Sequence, residues 1–166
     1  MLVERMRAHS STIFAEMSAL ALRTGAINLG QGFPDTDGPA SLLGDAAANI
    51  TGGVNQYPPG IGIPALRTAV AEHQRRFYGL DVEPDAVLVT TGATEAIAAT
   101  VLALCEAGDE VVTFQPYYDS YAATIALAGA RIRAVPLRPN GTSFAFDPDE
   151  LRAAFSARTR LVLVNT

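Results

Sequence analysis

Residues 87–95 read Val-Leu-Val-Thr-Thr-Gly-Ala-Thr-Glu, and the fold turns on how they are read. Val87 to Thr90, rich in β-branched side chains, predict a buried strand. Gly92 and Ala93 form a small turn. From Thr94 onward Ile97, Val101, Leu104 and Cys105 recur at helical spacing. A strand that turns sharply into a helix leaves backbone N–H groups and the positive end of the helix dipole at one point, a ready site for a phosphate or carboxylate. Gly92 and Ala93 are small enough for an anion to approach the backbone, and the Thr91 and Thr94 hydroxyls add donors. An ordinary strand-to-helix turn with a threonine N-cap accounts for the same letters. The surrounding chain has to decide between the two.

Downstream, Glu110 to Phe114 predict a second strand, and Gln115-Pro116-Tyr117-Tyr118-Asp119-Ser120-Tyr121 leads into a helix ending at Gly129. Arg131 to Leu137 predict a third strand and Asn140-Gly141 a turn. Asp147-Pro148-Asp149-Glu150 has a capping-box arrangement before a short helix to Phe155, and Arg160 to Val164 predict a fourth strand. Upstream, Ile13, Phe14, Met17, Leu20 and Ala21 mark a helix from Ser10 to about Arg23 that Gly25 stops. Gly30 to Asp35 form a glycine loop. A helix from Asp37-Gly38-Pro39 runs to about Ile50, a Gly/Pro-rich loop covers 51–62, and a helix from Ile63 or Pro64 runs to Tyr78, stopped by Gly79. Gly60-Ile61-Gly62-Ile63-Pro64-Ala65 fits the dinucleotide pattern G-x-G-x-x-A letter for letter. That fingerprint needs a preceding strand, and two prolines precede it, so it is rejected.

Strands alternating with helices predict an α/β domain with a largely parallel sheet. Ligands in such sheets sit beyond the carboxyl ends of the strands. Those points are Thr91 to Thr94, Gln115 to Tyr118, and Asn165-Thr166. An anion cup and a tyrosine pair therefore come together, and a tyrosine ring can stack on a planar heterocycle or serve as plain packing.

Bulk properties narrow the classes. The 166 residues are 49% hydrophobic and 17% charged, as in a globular domain. The net charge of −5, without a basic run, argues against nucleic acid or an anionic membrane as partner. Apolar runs are short, and the charged N-terminus lacks a signal-peptide core, so a cytoplasmic location is expected. A lone Cys105 fits a reducing compartment and falls on the apolar face of its helix, which favours packing over catalysis. His9 and His73 show no metal-ligand spacing, and no metal is expected. All twelve basic residues are arginine. No Schiff-base chemistry can run on a side-chain amine of this chain.

Five segments taken together resemble the class I/II pyridoxal-phosphate-dependent aminotransferases of fold type I. They are Ile13 to Ser18, Ile27 to Asp35, Asn55 to Gly60, Val89 to Ala96 and Pro116 to Tyr121, in the family's order across nearly the whole chain. The wording is most similar to the kynurenine, methionine and succinyldiaminopimelate aminotransferases. The resemblance implies an incomplete large domain, a mostly parallel sheet with helices on both faces, preceded by an N-terminal arm. Residues 1–45 would be the arm and substrate-side loop, and 46–166 the first part of the domain that binds pyridoxal 5'-phosphate.

The roles that the resemblance implies follow by position. Gly92, Ala93 and Thr94 would hold the cofactor phosphate, and Tyr118 would stack on the pyridine ring. Tyr57 would reach the phosphate of the neighbouring subunit's cofactor, which implies a homodimer. Gly32 would offer its N–H to the substrate carboxylate, and the stretch from Phe14 to Met17 would help cover the site. The family's Schiff-base lysine, its ring-nitrogen Asp and its substrate Arg match nothing here, so the chain corresponds to an N-terminal part. Strand 87–90 would then lie apart from the other three, and the isolated polypeptide would expose sheet edges and lack transaminase activity. The expected reaction is amino transfer from an amino acid to a 2-oxo acid in amino-acid biosynthesis. Two alternatives share the same cup: a small α/β module that binds a phosphorylated ligand without covalent chemistry, and a partner that lends Tyr57 and the cup to a lysine-bearing chain.

Overall fold

The computed structural model describes residues 2–30, 32, 34 and 36–165. Gln31, Phe33 and Asp35 of the glycine loop, and Thr166, lie outside the described residues. The elements in chain order are α1 (Ile13–Thr24), α2 (Ala40–Thr51), α3 (Pro64–Tyr78), α4 (Gly92–Leu104), β1 (Glu110–Gln115), α5 (Asp119–Leu127), β2 (Arg131–Pro136), β3 (Arg138–Asn140), β4 (Ser143–Ala145), α6 (Pro148–Ala154) and β5 (Thr159–Leu163). Short 3-10 turns cover Glu4–His9 and Pro84–Ala86. The chain divides into two compact units, residues 1–30 with 92–166 and residues 31–91.

In the first unit β1 is the central strand, with β2 on one side and β5 on the other, both parallel to it. Its residues Glu110 to Thr113 are all buried, the pattern of a strand covered on both faces. Successive side chains point to opposite faces, so Val111 and Val112 enter different cores. Val111 packs with Val101 of α4, Cys105, Ile125 of α5 and Ala130. Val112 packs with Val135 and with Ala154 of α6, backed by Phe114 and Leu151. Helices thus cover both faces, as expected. Burial, then the Asp109 carboxylate, pushes the Cys105 thiol above its ordinary range, which suits packing and not nucleophilic attack.

The punctuation of the elements follows the sequence. The Thr12 side chain caps α1 by accepting from the Ala15 N–H at 3.1 Å, and Gly25 (φ 68°) closes that helix in the left-handed region. The Asp147 carboxylate caps α6 by accepting from the Asp149 N–H at 2.8 Å. Glu150 does not complete a capping box. It pairs instead with Arg138 through two hydrogen bonds of 2.6 and 2.8 Å, tying α6 to β3. The Asn140-Gly141 turn joins β3 and β4 into a small hairpin that the sequence reading did not include.

Residues 87–90 correct the expectation of a buried strand. The backbone is extended at Val87 (φ −95°, ψ 123°), yet these residues enter no ladder and Leu88 is 54% exposed. β-branched alternation favours an extended backbone, but a strand also needs a neighbour. Here the Val89 N–H donates to the Ile61 carbonyl at 3.1 Å, while the buried Arg67 guanidinium holds the segment before it. Arg67 Nε donates to the Pro84 and Val87 carbonyls at 3.0 and 3.1 Å, and Nη2 to Asp85 at 2.7 Å. Helix α4 also begins at Gly92, two residues before the expected Thr94.

Glu110 anchors the start of β1. Its side chain is 4% exposed and accepts from Ser156 Oγ at 2.6 Å and from Arg158 Nη2 at 3.2 Å, with Arg133 Nε at 3.9 Å. The Ser156 hydroxyl above all, then the Arg133 and Arg158 charges, hold its carboxyl below the usual carboxylate range against the opposing effect of burial. A carboxyl depressed in the folded state adds stability above its unfolded pKa and loses it as pH falls through the folded value. We predict that Glu110→Gln lowers the urea midpoint at pH 7. The gap from wild type should close as pH drops below about 4.3, the unperturbed glutamate value. A gap that persists undiminished in acid would contradict the assignment. For the core, Ile125→Ala at a 1% exposed position should cost about 2–5 kcal/mol in denaturant titration.

Candidate functional site

The site grows from the carboxyl end of β1. After Gln115 a cis peptide leads to Pro116, and the chain passes Tyr117 to Tyr118, the N-cap of α5 in extended conformation. Helix α4 packs beside α5, and the first turns of the two helices border one cleft of about 240 Å³. Thr94 contributes from α4, and Tyr118, Asp119 and Ser120 from the start of α5. Gly92 takes φ 76°, and a Cβ there would meet nothing within 4 Å, so there is room for a ligand atom on that side of the turn. Ala93 and Thr94 occupy the first turn, where an α-helix has no carbonyl four residues back to accept from its N–H groups. The cup therefore offers backbone donors, a threonine hydroxyl and the positive end of a thirteen-residue helix.

Tyr118 is the flat wall of this cleft. The residue is 47% exposed, and its ring rests against Phe14 (centroids 5.8 Å apart, planes at 40°) and, edge-on, against Tyr121 (6.0 Å, 69°). The same ring borders a second cleft of about 160 Å³, lined also by Thr113, Leu137 and Asn165. The strand-end residues Tyr117, Tyr118 and Asn165 thus line one cleft. The chemistry of the first cleft's lining, helix-start donors beside an aromatic face, is of a kind that would suit a planar ring carrying a phosphate.

Of the residues singled out from sequence, Gly92, Ala93, Thr94 and Tyr118 fall together in the unit formed by 1–30 and 92–166. Gly32 and Tyr57 belong to the unit of residues 31–91. Tyr57 is wholly exposed, and a Cβ at Gly32 would meet nothing within 4 Å. Sequence reasoning missed His9, Ser11, Thr12 and Asp119 as lining of the first cleft. His9, Ser11 and Thr12 arrive there because the 3-10 turn Glu4–His9 lies along α5, with Arg5 Nε donating to the Leu127 carbonyl at 3.2 Å, whereas Asp119 stands at the first position of α5 itself. Asp119 keeps one buried carboxylate oxygen without a partner among the described residues. Among those residues no cluster of three His, Cys, Asp or Glu side chains could hold a metal, and no helix is long and apolar enough to cross a membrane.

Known proteins share this sequence and architecture. The chain is 56% identical over its whole length to a probable N-succinyldiaminopimelate aminotransferase of Mycobacterium tuberculosis, and covers 42% of that protein. It is 48% identical over 94% of its length to the methionine aminotransferase of Escherichia coli, covering 40% of it. The solved structure of the M. tuberculosis N-succinyldiaminopimelate aminotransferase superposes with a TM-score of 0.92 over 98% of this chain and 42% of that one. The chain thus spans about two fifths of the length of these relatives. The profile of the family described as aminotransferase class I and II matches residues 24–166. With the fold, the segment order and these matches in agreement, the chain belongs to the class I/II aminotransferases, a family of pyridoxal-phosphate-dependent enzymes.

Proposed function

We propose that this chain forms the phosphate cup and ring wall of a pyridoxal-phosphate-dependent aminotransferase that moves an amino group from an amino acid to a 2-oxo acid. The observation that carries the reading is the shared cleft of Thr94 and Tyr118. Pyridoxal phosphate supplies an electron sink beside the substrate's α-carbon. The N–H groups of Gly92, Ala93 and Thr94 bind its phosphate, and the Thr94 hydroxyl adds a fourth donor. Charge-assisted bonds to an anion are roughly twice as strong as neutral ones, so the cup fixes one end of the cofactor. Tyr118 fixes the ring plane and keeps water off one face.

Gly32 donates its N–H to the substrate carboxylate in this reading, and residues 1–45 act as arm and substrate-side loop while 46–166 belong to the cofactor-binding domain. Tyr57 reaches the phosphate of a second subunit's cofactor in a cytoplasmic homodimer, a role its full exposure permits. The reacting amine that tethers the cofactor and moves the proton must come from a lysine outside these 166 residues, because they contain none.

Two outcomes test this. In the full-length protein, Gly92→Ala and Thr94→Ala should each weaken pyridoxal phosphate binding roughly tenfold or more while leaving pyridoxal, which lacks the phosphate, nearly unaffected. Equal losses for both compounds would refute the cup. The 166-residue chain by itself, given pyridoxal phosphate, an amino acid and 2-oxoglutarate, should show no sustained transfer. Turnover above the free-cofactor rate would overturn the assignment of the reacting amine.

A further inference from the structure

We infer that Phe14, on the N-terminal arm, is a positioning residue for the Tyr118 ring, so that the arm sets the cofactor wall as well as lying near it. The inference rests on the reading that Tyr118 stacks on the cofactor ring. Among the described residues no hydrogen bond holds the Tyr118 side chain, and nearly half of it is exposed. Torsion of a phenol ring about its bond to Cβ is soft, with broad minima, so packing alone must choose the ring plane. Two aromatic rings pack against it. Tyr121 meets Tyr118 edge-on at 6.0 Å and is itself 7% exposed within α5, a fixed stop. Phe14 meets it at 5.8 Å with the planes tilted by 40°. Both separations lie in the range where aromatic pairs attract beyond the area they bury.

Phe14 in turn is not free to drift. It is the second residue of α1, whose first turn is closed by the Thr12 cap on Ala15. The turn before it, Glu4–His9, lies on α5 and is pinned at the far end of that helix by Arg5 on the Leu127 carbonyl. Arm and wall therefore share one helix, with Arg5 at its C-terminal end and Phe14 against the tyrosine at its N-terminal end. A plain covering segment would need only an apolar residue at position 14. A brace needs a ring.

The substitutions Phe14→Leu, Phe14→Tyr, Tyr118→Leu and the Phe14→Leu/Tyr118→Leu pair, made in the full-length cofactor-loaded enzyme, separate these readings. The readouts are the induced circular dichroism of the bound cofactor, its dissociation constant, and the melting midpoint of the cofactor-free protein. Phe14→Leu keeps the apolar volume and should diminish the induced signal and weaken cofactor binding about three- to tenfold. Phe14→Tyr should restore both, and the midpoint without cofactor should differ little among the Phe14 variants. Added to Tyr118→Leu, Phe14→Leu should cost nothing further, because two residues acting through one contact are not additive. If Phe14→Leu keeps the wild-type signal and affinity while Tyr118→Leu loses them, the brace is wrong and the stacking stands. If Tyr118→Leu also behaves as wild type, the stacking reading fails and the brace fails with it.

Discussion

Parallel pairing on both sides of β1 is the constraint from which the rest follows. Parallel strands send their carboxyl ends to the same edge of a sheet, and each return crossing must run back over a face. Because β1 is buried on both faces, Val111 and Val112 enforce helices above and below. One of those faces carries α4 and α5 side by side, so their first turns meet at the strand-end edge. Thr94 and Tyr118 are 24 residues apart in sequence, and nothing local joins them. Sheet direction does.

Much of this was legible because it is written locally. Gly25 and Gly79 end their helices in the left-handed conformation, and Thr12 and Asp147 cap theirs. β1, β2 and β5 fall within a residue or so of the apolar runs that announce them. The failures share a cause. Val87 to Thr90 carry the side chains of a strand, but side-chain type reports backbone conformation and not the presence of a neighbour to bond. The β3–β4 hairpin was missed because its three-residue strands are almost wholly exposed and give no alternating apolar signal beyond the Asn140-Gly141 turn. Capping-box letters at Asp147 and Glu150 predicted a local bond, and Arg138 took Glu150 instead.

The candidate site shows the same boundary between local and distant. Its cup and its tyrosine lie on contiguous motifs and could be named from sequence. His9, Ser11 and Thr12 could not, because they become lining only when the arm docks along α5. The visible bond in that docking, Arg5 to the Leu127 carbonyl, spans 122 residues and ends on a backbone oxygen that any residue would offer. No pattern of letters records such an acceptor.

The rejected dinucleotide pattern at 60–65 has its own explanation in space. Gly62 sits at φ 101°, and a Cβ there would lie 2.5 Å from a Val89 methyl, so its hydrogen is demanded by the neighbouring chain. Gly60 has no neighbour within 4 Å of the position a Cβ would take and no left-handed backbone. One of the two glycines is thus fixed by contact and the other is at liberty to drift. A single change at Gly60 would erase the likeness to a nucleotide loop and leave the fold as it is, so the motif here measures steric crowding at one residue and chance at another.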